Sequence, residues 1–306
     1  SYAVVVGAAV ALLLLDYCPL RRFESEGRGR WSWPVARGLV LEKVTFLAMS
    51  LVVGLLTICA RVNARAFFGT PPTLKKFGIY DRVMQAFYTW AYYLWIELVP
   101  RDLSPVYIRL VSFNPNDLVF IVSVAVIVLG SAAAWVLRRR FAWLPVAWGW
   151  HLVMLLPMLG LTEHPHYTND RYAHMEGYVF GVLFAGFIVY AWMRLKDRGI
   201  RWLVPCASGV LLLAAGVNCA AQELVWRDTE SLMLHMITEL GEDPYRADIQ
   251  WRLAQRYLEE KRYDKAVEFA DAALALTPRL LKARSIKGEA LIDLGDRAAV
   301  EGRPDE

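Results

Sequence analysis

The chain holds 306 residues, 57% of them hydrophobic, with a mean hydropathy of +0.32. This is too apolar for two ordinary soluble domains and points to a largely membrane-embedded protein. Its formal charge of +4 is unevenly divided: residues 1–222 hold 21 Lys+Arg against 12 Asp+Glu, and residues 223–306 hold 13 against 18. The polar segment is the acidic one, which excludes the basic face that nucleic-acid phosphates require.

From the start of the chain, Tyr2 to Leu15 is an apolar run of 14 residues with no basic residue before it, unlike a signal peptide or an intact start. It falls short of the roughly 20 residues that cross a bilayer, so the expectation is an N-terminally truncated chain whose upstream residues complete this helix. Further candidate spans are Val44 to Ala60, Leu118 to Leu137, Phe141 to Thr162, Tyr178 to Met193 and Leu203 to Gln222, giving six with the first. A further segment, Val83 to Val99, carries Phe87, Tyr88, Trp90, Tyr92, Tyr93, Trp95 and Glu97, a composition typical of the membrane interface. If it lies flat, one set of loops, with the Arg138-Arg139-Arg140 hairpin, holds 13 Lys+Arg against 8 on the other; if it spans, the counts are 9 against 12, with that hairpin outside. The positive-inside rule favours the flat helix, which puts residues 61–117, the loop Glu163 to Gly177 and everything after Gln222 on the non-cytoplasmic side. Pro71-Pro72 and Asn114-Pro115-Asn116-Asp117 supply turns where the first of these enters and leaves the flat helix. Cys18, Cys59, Cys206 and Cys219 lie in or beside apolar runs without CxxC spacing, and read as small hydrophobes.

After Trp226, the stretch Thr229 to Leu240 places Leu232, Met236, Ile237 and Leu240 on one helical face, and Gly241 ends it. From Ala247, residues Leu253, Ala254, Tyr257, Ala266, Ala273 and Pro278 fall at offsets 7, 8, 11, 20, 27 and 32 of a 34-residue unit, a spacing similar to a tetratricopeptide repeat. Ala254, Ala266 and Ala273 permit close helix crossing, Trp251 and Tyr257 fill the groove, and Pro278 stops the second helix. A second unit starts at Leu281, with Gly288 and Leu291 in equivalent places, and lacks its second helix. About three repeats are needed to bury a solenoid core, so the C-terminus is expected to be clipped as well, or the stub to pack on the membrane domain. The repeat reads either as a groove for a protein or peptide, formed by Trp251, Leu253, Ala254, Tyr257 and Ala266, or as a structural cap. The expected fold is therefore all-α, with residues 1–222 a polytopic transmembrane bundle of about six spans plus one interfacial helix, and residues 223–306 a short soluble repeat region.

Four passages narrow the field: Leu12-Leu13-Leu14-Leu15-Asp16-Tyr17-Cys18-Pro19-Leu20 before a basic loop, Leu39-Val40-Leu41-Glu42-Lys43 opening a span, Leu155-Leu156-Pro157-Met158-Leu159-Gly160-Leu161, and Asp170-Arg171-Tyr172. Trp226-Arg227-Asp228-Thr229 then leads into the repeats. In this order they resemble the C-terminal half of bacterial GT-C-type membrane glycosyltransferases, and the chain is also similar to the transmembrane and tetratricopeptide-repeat O-mannosyltransferases. Such proteins commonly continue Asp-Arg-Tyr with an aromatic or Leu-Pro stretch, whereas Ala173-His174-Met175-Glu176 follows here. The resemblance implies transfer of a sugar from a polyprenyl-phosphate donor to an acceptor hydroxyl, often a Ser or Thr of an exported protein, at the bacterial inner membrane with the repeats in the periplasm. It also implies a catalytic carboxylate base in a first external loop upstream of Ser1, so no base is assigned among the present residues and the fragment alone is expected to be inactive.

The loop Glu163 to Gly177 is the densest polar cluster, with Glu163, His164, His166, Asp170, Arg171, His174 and Glu176. A planar guanidinium binds phosphate oxygens bidentately, so Arg171 is the candidate for the donor phosphate, with Asp170 orienting it and Tyr172 beside it. The other reading is an Asp170–Arg171 ion pair closing the loop, with Tyr172 at headgroup depth. His164, His166 and His174 with the neighbouring acids offer ligand types that suit a divalent metal such as Zn or Mn, but their spacing matches no metal-binding pattern, so a solvated polar loop is the favoured reading. No metal ligands are assigned, and no cofactor is evident beyond the lipid-linked sugar donor. Arg61, Arg65, Lys75, Lys76, Arg82, Arg101 and Arg109 suit either an anionic carrier lipid or ordinary snorkelling. Asp16 and Glu97 border spans and are not proton-relay candidates on their own. The rival reading is a non-catalytic membrane scaffold whose repeats recruit protein partners for envelope assembly. A transporter is disfavoured, because no span carries a central ionisable residue.

Overall fold

The computed structural model describes residues 5–23, 33–63, 74–100, 103, 110, 113–161, 168–169, 173–195, 199–241, 243 and 245–300. Their regular structure is helical, and no β-strand occurs among the described residues. The chain divides into two compact units, residues 1–101 with 109–205 and residues 102–108 with 206–306.

The first unit contains α1 (Val5–Tyr17), α2 (Trp33–Glu42), α3 (Val44–Asn63), α4 (Ile79–Leu98), α5 (Leu118–Leu137), α6 (Trp143–Leu155) and α7 (Ala173–Arg194). Helix α1 packs on α3 and α6, α4 lies along α5 and reaches α6 and α7, and α6 packs on α5 and α7. Small residues set the closest approach: a Cβ added at Gly7 would stand 2.9 Å from the Val153 carbonyl oxygen, and one at Gly149 would stand 3.1 Å from the Leu14 side chain. Without a driving force between apolar side chains and lipid tails, such close backbone contact is a main source of helix association in a bilayer. Helix α6 ends where Pro157 cannot donate to the ladder, and a single 3-10 turn, Leu156–Met158, follows.

Three helices are long and apolar enough to cross a membrane: Leu118–Leu137, His174–Arg194 and Gly199–Val225, the last continuing from the 3-10 turn Gly199–Trp202 into α8 (Leu203–Val225). A fourth is reached if α2 and the start of α3, bent by 51° at Lys43, count as one span. Gly7–Tyr17 and Trp143–Met158 are apolar but shorter. Leu129, Val136, Val182 and Phe187 are exposed, and α8 carries no buried residue along its 23 positions. Apolar surface on that scale is stable where hydrocarbon replaces water. The described helices thus agree with a membrane protein at the level of several spans. The aromatic segment around Val83 to Val99 is a single 20-residue helix, α4, with Met84, Gln85, Tyr88, Thr89, Tyr93 and Ile96 buried on one face.

In the second unit, α9 (Thr229–Leu240), α10 (Arg246–Glu259), α11 (Tyr263–Leu276) and α12 (Leu281–Val300) follow α8. Asp228 caps α9 by accepting from the Ser231 amide at 2.7 Å, and Gly241, at φ 55°, supplies the left-handed exit that a side chain would resist. One core joins Met236, Ile237, Leu240, Ile249, Leu253, Tyr257, Ala266 and Ala290. A second joins Ala247, Trp251, Ala254, Ala270, Ala273, Ala283 and Ile286. The fully buried alanines line the seams where α10, α11 and α12 meet, because only a methyl group fits between helices so close.

Candidate functional site

The first polar cluster joins two of the passages that are far apart in sequence. At the end of α1, Asp16 receives Lys43 Nζ at 2.6 Å and Arg22 at 3.0 Å, while Arg22 and Lys43 also bind Glu42 at 2.8 and 3.0 Å. Asp16 and Lys43 are buried, so each charge needs the other. Lys43 sits at the bend between α2 and α3, and the network therefore ties that bend to the end of α1. Glu42 first, and Asp16 second, raise the Arg22 guanidinium above its ordinary value through their hydrogen bonds.

A second, more deeply buried cluster is built on α4. Its i, i+4 spacing puts Gln85, Thr89 and Tyr93 on one buried stripe. Gln85 Nε2 donates to the Gly160 carbonyl at 2.7 Å, and Arg82 donates to the Leu161 carbonyl. The Tyr93 hydroxyl donates to the Asn169 carbonyl at 2.9 Å and accepts from the Asn169 amide at 3.0 Å. The aromatic helix thus holds both ends of the segment that runs from the Leu155–Leu161 passage toward Asp170.

Beyond Tyr93, His151 of α6 contacts Glu176 of α7 through Nδ1, and its Nε2 lies 3.2 Å from the Trp90 carbonyl oxygen of α4. His151 and Glu176 are both fully buried. Glu97, at the end of α4, rests against the start of α7: its carboxylate oxygens lie 2.5 and 3.1 Å from where a Cβ would stand on Gly177. Burial pushes the Glu97 carboxyl up to about 7, and the neighbouring Glu176 charge adds to the rise. The sequence puts Glu176 and His174 in a polar loop, whereas both lie inside the helix α7, and His174 Nε2 meets the Tyr178 hydroxyl at 3.1 Å. The link between Glu97, His151 and Glu176 was not legible in sequence, since the three are separated by 54 and 25 positions and no motif joins them.

The donor-phosphate candidates Asp170, Arg171 and Tyr172, and with them Glu163, His164 and His166, lie outside the described residues. So do Arg65, Arg101 and Arg109. No group of three or more His, Cys, Asp or Glu side chains able to hold a metal ion occurs among the described residues.

In the second unit, Leu253, Ala254, Tyr257 and Ala266 are fully buried between helices and Trp251 is nearly so. Glu230 links α9 to the following hairpin, accepting from the Tyr257 hydroxyl at 2.7 Å and pairing with Arg262 at 2.7 Å. Arg262 first, and Tyr257 second, hold the Glu230 carboxyl below its ordinary value, while burial and Glu230 push the Tyr257 phenol up to about 12. A groove of about 590 Å³ runs between α10 and α12, with Trp251, Gln255, Lys282, Ser285, Glu289 and Asp293 among its lining. The Lys282 ammonium lies over the Trp251 ring, 4.4 Å from its centroid.

Comparison of the chain with protein-family models, with curated proteins and with solved structures gives no match.

Proposed function

We propose that the chain forms part of a GT-C-type membrane glycosyltransferase that moves a sugar from a polyprenyl-phosphate donor to a hydroxyl of an exported protein or glycan. In this reading it resides in the bacterial cytoplasmic membrane, about six helices span, α4 lies at the interface, and the second unit is a periplasmic tetratricopeptide stub. The observation that supports it is that the resemblance-bearing passages coincide with the polar joints of the first unit. Asp16 of one passage pairs with Lys43 of another, and α4 holds Gly160 and Leu161 of a third next to the segment leading to Asp170. Arg171 receives the donor phosphate and Asp170 orients it, with Tyr172 counted to the same site. The base that takes the hydroxyl proton comes from a first external loop, so the complete protein is the unit of activity.

The test uses the complete protein in native membranes supplied with a labelled polyprenyl-phosphate sugar. Transfer to an acceptor, lowered at least tenfold by Arg171→Ala with the protein still inserted, is the expected result. Undiminished transfer in the variant removes Arg171 from the donor site, and no transfer with any of a panel of lipid-linked sugars removes the enzymatic reading. Topology has its own check: cysteines placed by Arg171→Cys and Arg139→Cys should label from opposite sides of the membrane, and labelling from one side would refute the arrangement.

The second reading, a scaffold that recruits protein partners, is favoured by the groove between α10 and α12, whose lining mixes an indole with charges of both signs. Loss of a partner on Lys282→Glu, with glycosyl transfer absent throughout, would support it.

A further inference from the structure

We propose that Glu97, Glu176 and His151 form a proton-binding site, in which one proton held between two carboxyl groups joins the end of α4 to the start of α7. The hydrogen-bond pattern requires the first steps. His151 Nε2 faces the Trp90 carbonyl oxygen, which can only accept, so Nε2 carries a hydrogen. The other ring nitrogen meets Glu176 Oε1, and that contact holds one proton between ring and carboxyl. The pair is therefore neutral as imidazolium with carboxylate or as imidazole with carboxylic acid.

This leaves two groups without an answer. Glu176 Oε2 is buried with no hydrogen-bond partner, although a buried acceptor of this kind is rarely left unmet. Glu97, half-buried, lies on the backbone of Gly177 beside it. Among the described residues no lysine or arginine pairs with either carboxylate, and the groups facing the site are Glu97 and Tyr93 from α4, His151 from α6 and Glu176 from α7, with the neutral Asn169 bound to Tyr93. His174, one position into α7, is engaged by Tyr178. A second carboxylate here is an uncompensated negative charge in a poorly solvated place. A proton on Glu97 removes that charge, and the resulting acid, once turned toward its neighbour, supplies the donor that Glu176 Oε2 lacks. Losing the proton sets two carboxylates against each other and loosens the α4–α7 contact. The rise of the Glu97 carboxyl to about 7 puts this exchange at neutral pH.

Infrared difference spectroscopy on the complete protein in lipid nanodiscs tests the site by following the C=O stretch of protonated carboxyl groups between pH 5 and pH 9. The expected result is a band that titrates near neutral pH, is lost in Glu97→Gln, and in Glu176→Gln persists with its midpoint lowered by about one unit or more. Circular dichroism on each variant establishes that the helices are retained, and Gly177→Ala, which pushes the Glu97 carboxylate off α7, gives a third reading by lowering the midpoint without removing either acid. A band unchanged in Glu97→Gln, or a midpoint in the ordinary carboxylate range, would overturn the proposal. So would a midpoint that moves when sodium replaces potassium, which would assign the site to a metal cation.

Discussion

Leu253 is one of the completely buried side chains of the second unit. It lies on α10 and belongs to the core that joins Met236, Ile237 and Leu240 of α9 with Ala266 of α11 and Ala290 of α12. Replacing it with alanine removes three carbons from a core walled by Met236, Ile237, Leu240, Ile249 and Tyr257 together with the methyls of Ala266 and Ala290. A leucine-to-alanine change in a core costs about 2–5 kcal/mol, and complete burial among side chains that can relax only in part puts this one near the middle, at about 3–4 kcal/mol. Since about 1.4 kcal/mol is a factor of ten, the population of the opened unit rises roughly 150-fold to 700-fold. Amide hydrogen exchange of the complete protein, read on peptides from α9 to α12, reports that population directly when closing outruns exchange. Leu281→Ala is the paired control: the residue is 76% exposed, and a surface substitution of this kind stays within about 0.5 kcal/mol. If Leu253→Ala accelerates exchange less than about threefold, or if the two variants behave alike, the four helices do not share one core and the reasoning fails.

Three other expectations follow from particular contacts. Glu230 is held below its ordinary value of 4.5 in the folded unit, so its contribution is fully present above that pH and is lost as pH falls through the lowered value. Wild type should therefore lose protection in α9 on acidification, and Glu230→Gln should start less protected and show a flatter acid limb; equal acid limbs would count against the Arg262 and Tyr257 partners. Lys43→Met leaves Asp16 buried with only Arg22 beside it, and breaking such a pair costs about 3 kcal/mol or more, whereas adding Asp16→Asn should recover part of the loss. A thermal unfolding series in detergent measures this cycle, and a double variant as unstable as the sum of the two single ones would deny the coupling. Gly130→Ala puts a methyl carbon 2.5 Å from the Trp148 ring, which is fixed by its hydrogen bond to Ser131 at 2.9 Å. The overpacking should cost about 1–3 kcal/mol in the same assay, and an unchanged midpoint would mean that α5 and α6 can separate freely.

Much of the architecture was legible because it rests on local patterning. Alternating apolar runs and basic turns marked Leu118–Leu137, the second apolar helix of the Tyr178 region and the one from Leu203, since a bilayer demands length and apolarity from each helix separately. The helix breaks at Gly241 and Pro278 were also readable, where the chain needs a left-handed exit or lacks a donor, whereas the break at Pro157 was not, since a single span was expected from Phe141 to Thr162. The spacing of Leu253, Ala254, Tyr257, Ala266 and Ala273 anticipated two packed helices with alanine seams, because a 3.6-residue period fixes which side chains share a face.

Pairings between distant elements were decided by tertiary structure alone. Asp16 and Glu97 look alike in sequence, each an acid at the edge of an apolar run. Packing gives Asp16 two cations, Lys43 and Arg22, and lays Glu97 beside a second carboxylate. One acid thereby becomes a structural anchor and the other a group whose charge is opposed by its surroundings. Composition specifies how each helix meets its solvent, but the state of a titratable group depends on which charges and dipoles lie within a few ångströms of it, and those are set by which helices pack together.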